Sequence, residues 1–198
     1  IEACRKYRED QVKTGDAYKL RNTPHLLRPT SKFKDTTYIG VPPVSSERRK
    51  YIPVGFVSNG MIPGNQLYFV ADASIYDFGI FTSQFHNAWM RTVAGRLEMR
   101  YRYANTIVYN NFVWPKANDA QRALVEQKAQ AVLDARDQYQ GAALADLYDP
   151  DNAWLYPALT RAHRELDAAV EAAYGVDFDG DEQKIVAHLF DLYAQATA

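Results

Sequence analysis

The segment Thr82–Pro115, TSQFHNAWMRTVAGRLEMRYRYANTIVYNNFVWP, decides the fold expected for this chain. Ser83 is a good helix N-cap, because its hydroxyl can accept a hydrogen bond from a backbone N–H of the first helical turn. Apolar residues then recur every four positions, at Phe85, Trp89, Val93 and Leu97. This spacing predicts one amphipathic helix, which ends near Gly95 or continues to Leu97.

The residues around this helix are typical of strands and turns. Lys50–Ser58 and Gln66–Asp72 are rich in β-branched and aromatic residues, and a proline in the first of them favours an edge position. Ile39–Ser45 is expected to form an earlier, proline-interrupted strand. Asn59-Gly60 predicts a turn. Downstream of the helix, Ile107–Trp114 is expected to be extended.

After Lys116 the composition shifts to alanine, glutamine and leucine, which favours helices. Three helices are expected: from Asn118 or Asp119 to Gln138, from Pro157 to Tyr174, and from Asp181 or Glu182 onward. A loop is expected over Asp146–Tyr156. The predicted fold class is therefore α+β, with a mixed β-strand region and its amphipathic helix in residues 1–116 and a small α-helical C-terminal domain in residues 117–198.

The charges of the chain are divided between these two parts. Residues 1–116 carry 17 Lys/Arg and 9 Asp/Glu, a net charge of +8, whereas residues 117–198 carry 6 and 15, a net charge of -9. A strongly basic surface attracts a polyanion such as nucleic acid. The alternative is that two solvated surfaces of opposite sign dock on each other.

Several functional classes find no support in the sequence. The single Cys4 cannot form an internal disulfide, which suits a cytoplasmic, reducing environment. No apolar run approaches the ~20 residues that cross a membrane. The histidines lack metal-ligand spacing, and there is no glycine-rich cofactor turn, Walker motif or serine elbow. We therefore expect no catalytic, metal or cofactor-binding residue in this chain, whose start, IEACRKYRED, reads as the middle of a longer polypeptide.

Two basic runs are candidates for contact with nucleic acid. In Gly95–Tyr103, an arginine guanidinium can donate two hydrogen bonds to guanine O6 and N7, and the Glu98 carboxylate can accept one from cytosine N4. Together they suit one C·G base pair. The alternative is a Glu98–Arg102 ion pair on a continued helix, worth ~0.2–0.5 kcal/mol. Ser45–Lys50 sets three cations beside two hydroxyls at the head of the strand expected from Lys50, which suits phosphate contacts but also a solvated strand end. Tyr109–Phe112 could stack on a base or form a local Asx turn.

Three long phrases resemble one enzyme family: PPVSSERRKYIPVGF (Pro42–Phe56), AWMRTVAGRLEMRYRYANTIVYNNFVWP (Ala88–Pro115) and the stretch Ala131–Pro150, with AVLDARDQY and LADLYDP. They are similar to the C-terminal portion of the MmeI-like family. Those proteins are large bacterial enzymes of the type IIG restriction-modification class, which join adenine-N6 DNA methylation to restriction. The resemblance covers most of the chain from about residue 38 onward.

The resemblance implies that residues 1–116 are the C-terminal part of a DNA target-recognition domain and residues 117–198 the helical C-terminal domain. It implies double-stranded DNA and an upstream methyltransferase core as partners. S-adenosylmethionine would bind in that core, together with the catalytic Asn-Pro-Pro-aromatic motif. Neither motif is present here, because Pro42-Pro43 is flanked by Val41 and Val44.

In the family, two positions after a Gly-Arg-Leu sequence help to choose the base pair beside the methylated adenine. Here they are Glu98 and Arg100, and their combination implies C·G. An i, i+2 pair cannot share one helix face, so this assignment requires the helix to end by about Leu97. The other assigned phosphate or DNA contacts are Ser45, Ser46, Arg48, Arg49, Lys50, Arg96, Tyr101, Arg102 and Asn110. The alternatives are a stand-alone nucleic-acid-binding module and a protein-docking scaffold.

Overall fold

A computed structural model describes residues 1–26, 36–58 and 60–198. The chain divides into two compact units, Ile1–Lys34 and Asp35–Ala198. The turn predicted at Asn59-Gly60 lies partly outside the described residues. The domain boundary predicted between residues 116 and 117 stays a prediction, and residues 116 and 117 both lie in the second unit.

The first unit contains two short helices, α1 (Glu2–Glu9) and α2 (Asp16–Lys19). The Arg8 guanidinium holds them together through three backbone carbonyls. It donates hydrogen bonds of 2.8 Å to the carbonyl oxygens of Leu20, Thr23 and Leu26. One side chain of α1 therefore fixes the path of the chain after α2.

The second unit contains two small antiparallel sheets. The first has the strand order β3-β1-β4 and consists of β1 (Tyr38–Val41), β3 (Gly55–Val57) and β4 (Tyr68–Ala71). The second has the order β2-β6-β5 and consists of β2 (Val44–Ser45), β5 (Gly95–Leu97) and β6 (Arg100–Arg102). The central strand of the second sheet, β6, thus brings the basic-aromatic run against the segment that follows the prolines.

The strand expected over Ile39–Ser45 is in fact two strands in different sheets. Pro42-Pro43 separates β1 from β2, because proline has no N–H to donate to a ladder. The strand expected over Lys50–Ser58 is shorter, and only β3 forms at an edge of the first sheet. Before it, the N–H of Ile52 donates to Asn87 Oδ1 at 2.7 Å, and the carbonyl of Val54 accepts from Arg136 at 2.9 Å. Side chains therefore replace a neighbouring strand there.

Two helices follow the first sheet, α3 (Ile75–Thr82) and α4 (Gln84–Val93). Helix α4 is the predicted amphipathic helix, and the side chain of Ser83 accepts from the backbone of His86 as its N-cap. It ends before Gly95, so the assignment of Leu97 to its apolar side is wrong; Leu97 lies on β5 and is 43% exposed. Helix α3 has no counterpart in the sequence prediction.

Two further segments differ from expectation. Ile107–Trp114 is not extended, because Asn105–Tyr109 forms a π-helical turn around the fully buried Val108. The carbonyl of Val108 accepts a 3.0 Å hydrogen bond from the Trp89 indole, which holds this turn on α4. The loop expected over Asp146–Tyr156 begins within a short helix, α6 (Leu144–Leu147), and contains a 3₁₀ turn at Pro150–Leu155.

The helical tail is confirmed. It consists of α5 (Asp119–Asp137), α7 (Pro157–Ala173) and α8 (Glu182–Thr197), capped by Asn118 and Asp181 at the start of the first and last of them. Their apolar sides join the core formed by β1, α3 and α4, so one hydrophobic core serves the whole second unit. The α+β class is therefore correct. Among the described residues, no helix combines the length and the apolarity needed to span a bilayer.

Candidate nucleic-acid interface

The basic-aromatic run forms a β-hairpin with a two-residue turn. Strands β5 and β6 pair with Leu97 opposite Arg100, so Glu98 and Met99 make the turn. Glu98 has φ 58, in the left-handed region that most residues avoid. The requirement that the helix end by about Leu97 is met, and the alternative of a helical Glu98–Arg102 pair is wrong because this segment is not helical.

The two residues assigned to base reading lie next to each other at the exposed end of this hairpin. Arg100 Nη2 donates to Glu98 Oε2 at 2.8 Å. The Glu98 side chain is 77% exposed and that of Arg100 is 47% exposed. An acceptor and a forked donor are therefore presented together to solvent, on a turn whose tip also carries the exposed Met99.

A buried tyrosine supports the hairpin from beneath. Along β6, Arg100 and Arg102 are exposed whereas Tyr101 is buried, as expected from the two-residue period of a strand. The Arg96 guanidinium lies 3.9 Å from the centre of the Tyr101 ring and donates to the carbonyl of Met99 at 3.2 Å. Arg96 and Tyr101 thus hold the turn, while Arg100 and Arg102 share the outer face.

The end of β6 is fixed to α4 by a buried contact that the sequence did not reveal. Tyr103 Oη lies 3.0 Å from His86 Nε2, and both side chains are buried. Burial lowers the pKa of His86 to about 3 and raises that of Tyr103, so both groups are neutral. A neutral pair in an apolar setting suits a structural anchor.

The run Ser45–Lys50 begins on β2 and continues as a turn, not as the head of a strand. Ser45 faces Tyr101 in the sheet, is buried, and its Oγ has no hydrogen-bond partner among the described residues. Ser46 Oγ accepts from the backbone of Arg48 at 3.2 Å and stabilises the turn. The Ser45 hydroxyl is therefore closed off from solvent, whereas Ser46 is half-buried.

The three cations of this run contact the acidic half of the chain. Arg48 donates to Asp151 at 2.5 Å, an exposed contact that lowers the pKa of Asp151. Lys50 Nζ lies 3.9 Å from Asp167, and Arg49 donates to the Ala145 carbonyl at 3.4 Å. Contact of these cations with phosphates stays a prediction, and a phosphate would compete with the carboxylates of Asp151 and Asp167.

The last assigned residue, Asn110, caps the C-terminal end of the π-helical turn and is not part of the hairpin. Its side chain is exposed, and its backbone N–H donates to the Asn105 carbonyl at 2.9 Å. Its neighbours hold the turn: Tyr109 stacks on Phe81 with ring centres 5.7 Å apart, and Asn111 donates to the carbonyls of residues 106 and 107. Within the parts of the chain that the structure describes, no group of three or more His, Cys, Asp or Glu side chains could hold a metal ion.

Two family models match adjacent parts of the chain. Residues 1–116 match the model of the MmeI target recognition domain, and residues 117–198 match that of the MmeI C-terminal domain. DNA methyltransferase A of Bacillus subtilis (strain 168) is 36% identical over 198 residues, which is all of this chain and 22% of that protein.

A solved structure is similar over nearly the whole chain. The Type IIL restriction-modification enzyme MmeI, determined in complex with DNA, aligns with 98% of this chain at a TM-score of 0.85 and 38% identity, which covers 25% of the MmeI chain. The chain thus spans about a quarter of the length of these relatives. With both of its parts matched, the chain belongs to the MmeI family, as a target recognition region followed by a C-terminal domain.

Proposed function

We propose that this region binds duplex DNA sequence-specifically, with the turn between β5 and β6 in the major groove, and positions the DNA for methylation. The observation that supports this most directly is the exposed Glu98–Arg100 pair on a two-residue turn. A narrow hairpin can enter the major groove, which also admits two-stranded β-ribbons. DNA as the partner of the MmeI structure supports the same proposal.

The geometry of the pair suits one C·G base pair. In the major groove, cytosine offers the N4 amino donor and guanine the O6 and N7 acceptors. N4 and O6 bond to each other within the base pair at about 2.9 Å, so their outer edges are neighbours. Glu98 Oε2 and Arg100 Nη2 are also neighbours, 2.8 Å apart, with the acceptor beside the donor. The carboxylate would accept from cytosine N4 while the guanidinium donates to guanine.

The remaining contacts divide by exposure. Arg102 shares the outer face with Arg100 and can reach a phosphate beside the groove. Ser45 and Tyr101 are buried, which favours a supporting role for both. Arg48, exposed beside Asp151, remains a candidate for a phosphate at the edge of the interface.

The chemistry of the parent protein belongs to this proposal as well. It would be an S-adenosylmethionine-dependent adenine-N6 methyltransferase of a restriction-modification system, acting in the cytoplasm. Its methyltransferase core would hold the cofactor and the flipped adenine, which an enzyme must take out of the stack to reach N6. The recognition region then determines which adenine is presented.

Exchanging the two base-reading groups should reverse the preferred base pair. In the double variant Glu98→Lys, Arg100→Asp the donor and acceptor change places, so a C·G preference should become G·C at one position of the site. The measurement is the selection of bound duplexes from a randomised pool by the wild-type chain and by the variant. Each well-placed contact contributes about 1–3 kcal/mol of discrimination, which such a selection resolves.

The matched control is another exposed ion pair away from the hairpin. Lys128 and Glu165 lie 2.7 Å apart on α5 and α7. The exchange Lys128→Glu with Glu165→Lys swaps the positions of one positive and one negative charge and keeps the net charge. It should leave the preferred DNA sequence unchanged. An unaltered preference in the hairpin variant would exclude base reading by this pair.

A second candidate function is a scaffold in which the basic part serves only to dock on the acidic part. Its support is a set of three ion pairs between the two parts: Arg48–Asp151, Lys50–Asp167 and the bidentate Arg91–Glu182 contact. Salt separates the two functions. Several phosphate contacts predict a loss of DNA affinity of about 10³-fold or more between about 50 and 200 mM salt, whereas a scaffold predicts weak binding with little change.

A further inference from the structure

A cleft of about 230 Å³ lies between the turn after β2 and helix α7, and the residues of the hairpin do not line it. Leu147, Leu159 and His163 are buried and form its floor. The cations that line it are exposed and lie at its mouth: Arg48, Lys50 and Arg164. The cleft therefore combines an apolar interior with a cationic opening.

The tautomer of His163 follows from its neighbours. Tyr148 Oη accepts two hydrogen bonds from Arg136, at 2.9 and 2.5 Å, because a guanidinium can only donate. Thr82 also lies beside this hydroxyl, but its Oγ1 makes no hydrogen bond among the described residues, so the Tyr148 proton is left for His163 Nε2, 2.6 Å away. Burial lowers the pKa of His163 well below its usual range, so the ring is neutral. With Nε2 accepting, the ring proton is on Nδ1.

This Nδ1–H group has no acceptor. His163 is 2% exposed, and its Nδ1 is buried without a hydrogen-bond partner among residues 1–26, 36–58 and 60–198. Buried donors without a partner are uncommon, and a ligand is one of the groups that can satisfy them. Arg136 and Lys50 also lower the pKa of His163 by their charge, so the local potential favours an electron-rich acceptor.

The cations at the mouth suit a phosphate group. Guanidinium groups bind phosphate through paired hydrogen bonds. Arg48 has one contact with Asp151, which leaves most of its five N–H donors for another acceptor. Arg164 comes from α7, across the cleft from Arg48. Asp149 also lines the cleft, so the cations exceed the carboxylates there.

We propose that this cleft binds a mononucleotide unit. Its base would enter the apolar floor and, by displacing the groups that cover His163 Nδ1 in the unliganded chain, accept a hydrogen bond from it, while its phosphate contacts Arg164 and Arg48. Pockets that enclose drug-sized ligands measure about 300–1,000 Å³, so the smaller volume here accommodates the ring and leaves the phosphate at the mouth. This site is separate from the proposed reading of a base pair by the hairpin.

The test is nucleotide binding to the intact 198-residue chain, measured by calorimetry and by NMR of the histidine ring nitrogens. AMP and CMP are the probes, with adenosine and inorganic phosphate for comparison. Arg164→Gln should weaken AMP and CMP binding about 10-fold and adenosine binding less than 2-fold. Ala153 is an exposed residue that lines the cleft, and Ala153→Phe should block the binding of AMP, CMP and adenosine. Arg161→Gln, one turn away on α7 and outside the cleft, should leave all of these affinities unchanged. In the NMR spectrum, the signal of the His163 Nδ1 proton should shift when a nucleotide binds.

A duplex competitor identifies the source of the nucleotide. Displacement of AMP by duplex DNA assigns the site to a nucleotide of the strand, and binding of both together assigns it to a free nucleotide. Absence of AMP and CMP binding at millimolar concentration, or equal affinities in the Arg164→Gln and Arg161→Gln variants, would overturn the proposal. The hairpin exchange at Glu98 and Arg100 should leave AMP affinity unchanged, so failure at one site is distinguishable from failure at the other.

Discussion

The backbone of Glu98 is held in a conformation that suits glycine better than glutamate. Its φ of 58 lies in the left-handed region, where a residue with a Cβ carries a penalty of about 1–2 kcal/mol. Its carboxylate nevertheless lies 2.8 Å from the guanidinium of Arg100. Unfavourable backbone conformations of this kind cluster at functional sites. The side chain, rather than the turn, therefore accounts for glutamate at this position.

Replacing Glu98 by glycine should separate stability from recognition. Relief of the left-handed penalty is offset by the greater freedom of glycine in the unfolded chain, about 0.5–1 kcal/mol, so the free energy of unfolding should change by less than about 1 kcal/mol. Discrimination of C·G from G·C duplexes should fall about 5- to 100-fold with the lost acceptor. Urea unfolding and duplex affinities measure the two effects. The control is Asp179→Gly, because Asp179 is an exposed residue with a similar left-handed φ of 51. This replacement should leave the discrimination between C·G and G·C duplexes intact.

At the scale of elements, the predictability of each helix follows from the spacing of its apolar residues. Helix α4 buries seven of its ten residues, but its large apolar residues recur every four positions with polar ones between them, and α5 and α7 have one apolar side, so periodicity revealed all three. Helix α3 buries six of its eight residues and has no polar face to create a period. Its remaining sequence signal is the capping box of Ser74 and Asp77.

The contact between α3 and α5 depends on Gly79. A Cβ at this position would lie 2.9 Å from Val125 Cγ1 and 3.1 Å from Ala129 Cβ, closer than packed carbons approach. Gly79→Ala should therefore destabilise the chain by about 1 kcal/mol, because overpacking of about 1–3 kcal/mol exceeds the gain of up to ~1 kcal/mol in helix propensity. Thermal unfolding measures this change. Gly64→Ala, with open space around the Cβ position, should be neutral or stabilising, and a stabilising Gly79→Ala would refute the close contact.

At the scale of the whole molecule, the charge division seen in the sequence has two structural outcomes. Arg91 forms two 2.8 Å contacts with Glu182 and donates to the Lys50 carbonyl, so part of the basic surface is used internally. Arg100 and Arg102 remain on the exposed hairpin. Composition predicted the opposite charges but not this allocation, because the internal partners are about 90–120 residues apart and are brought together only by the shared core.

One buried carboxyl group joins the two parts of the second unit. Asp167 on α7 accepts from Tyr51 Oη at 2.6 Å and from the backbone N–H of Gln84 at 2.7 Å. Burial is the largest influence on it and raises its pKa to about 6, despite these donors and the nearby Lys50. Its ionised form is therefore less favourable in the folded chain than in water, where an aspartate pKa is about 3.9.

The replacement Asp167→Asn should remove a pH dependence of stability whose sign is opposite to ordinary acid denaturation. Between about pH 4 and 6 the folded chain binds a proton at Asp167 and the unfolded chain does not, so this group stabilises the fold increasingly as pH falls through 6. Buried His86 and His163 act in the other direction, because their lowered pKa values leave the unfolded chain as the better proton acceptor below about pH 6.5.

The informative quantity is therefore the wild-type minus variant difference in the free energy of unfolding, measured with urea at pH 7, 6 and 5. It should rise between pH 6 and 5 by about 1 kcal/mol, up to the limit of about 1.4 kcal/mol per pH unit. Parallel profiles for the two proteins would show that Asp167 titrates normally and that the contact between the parts does not depend on its burial.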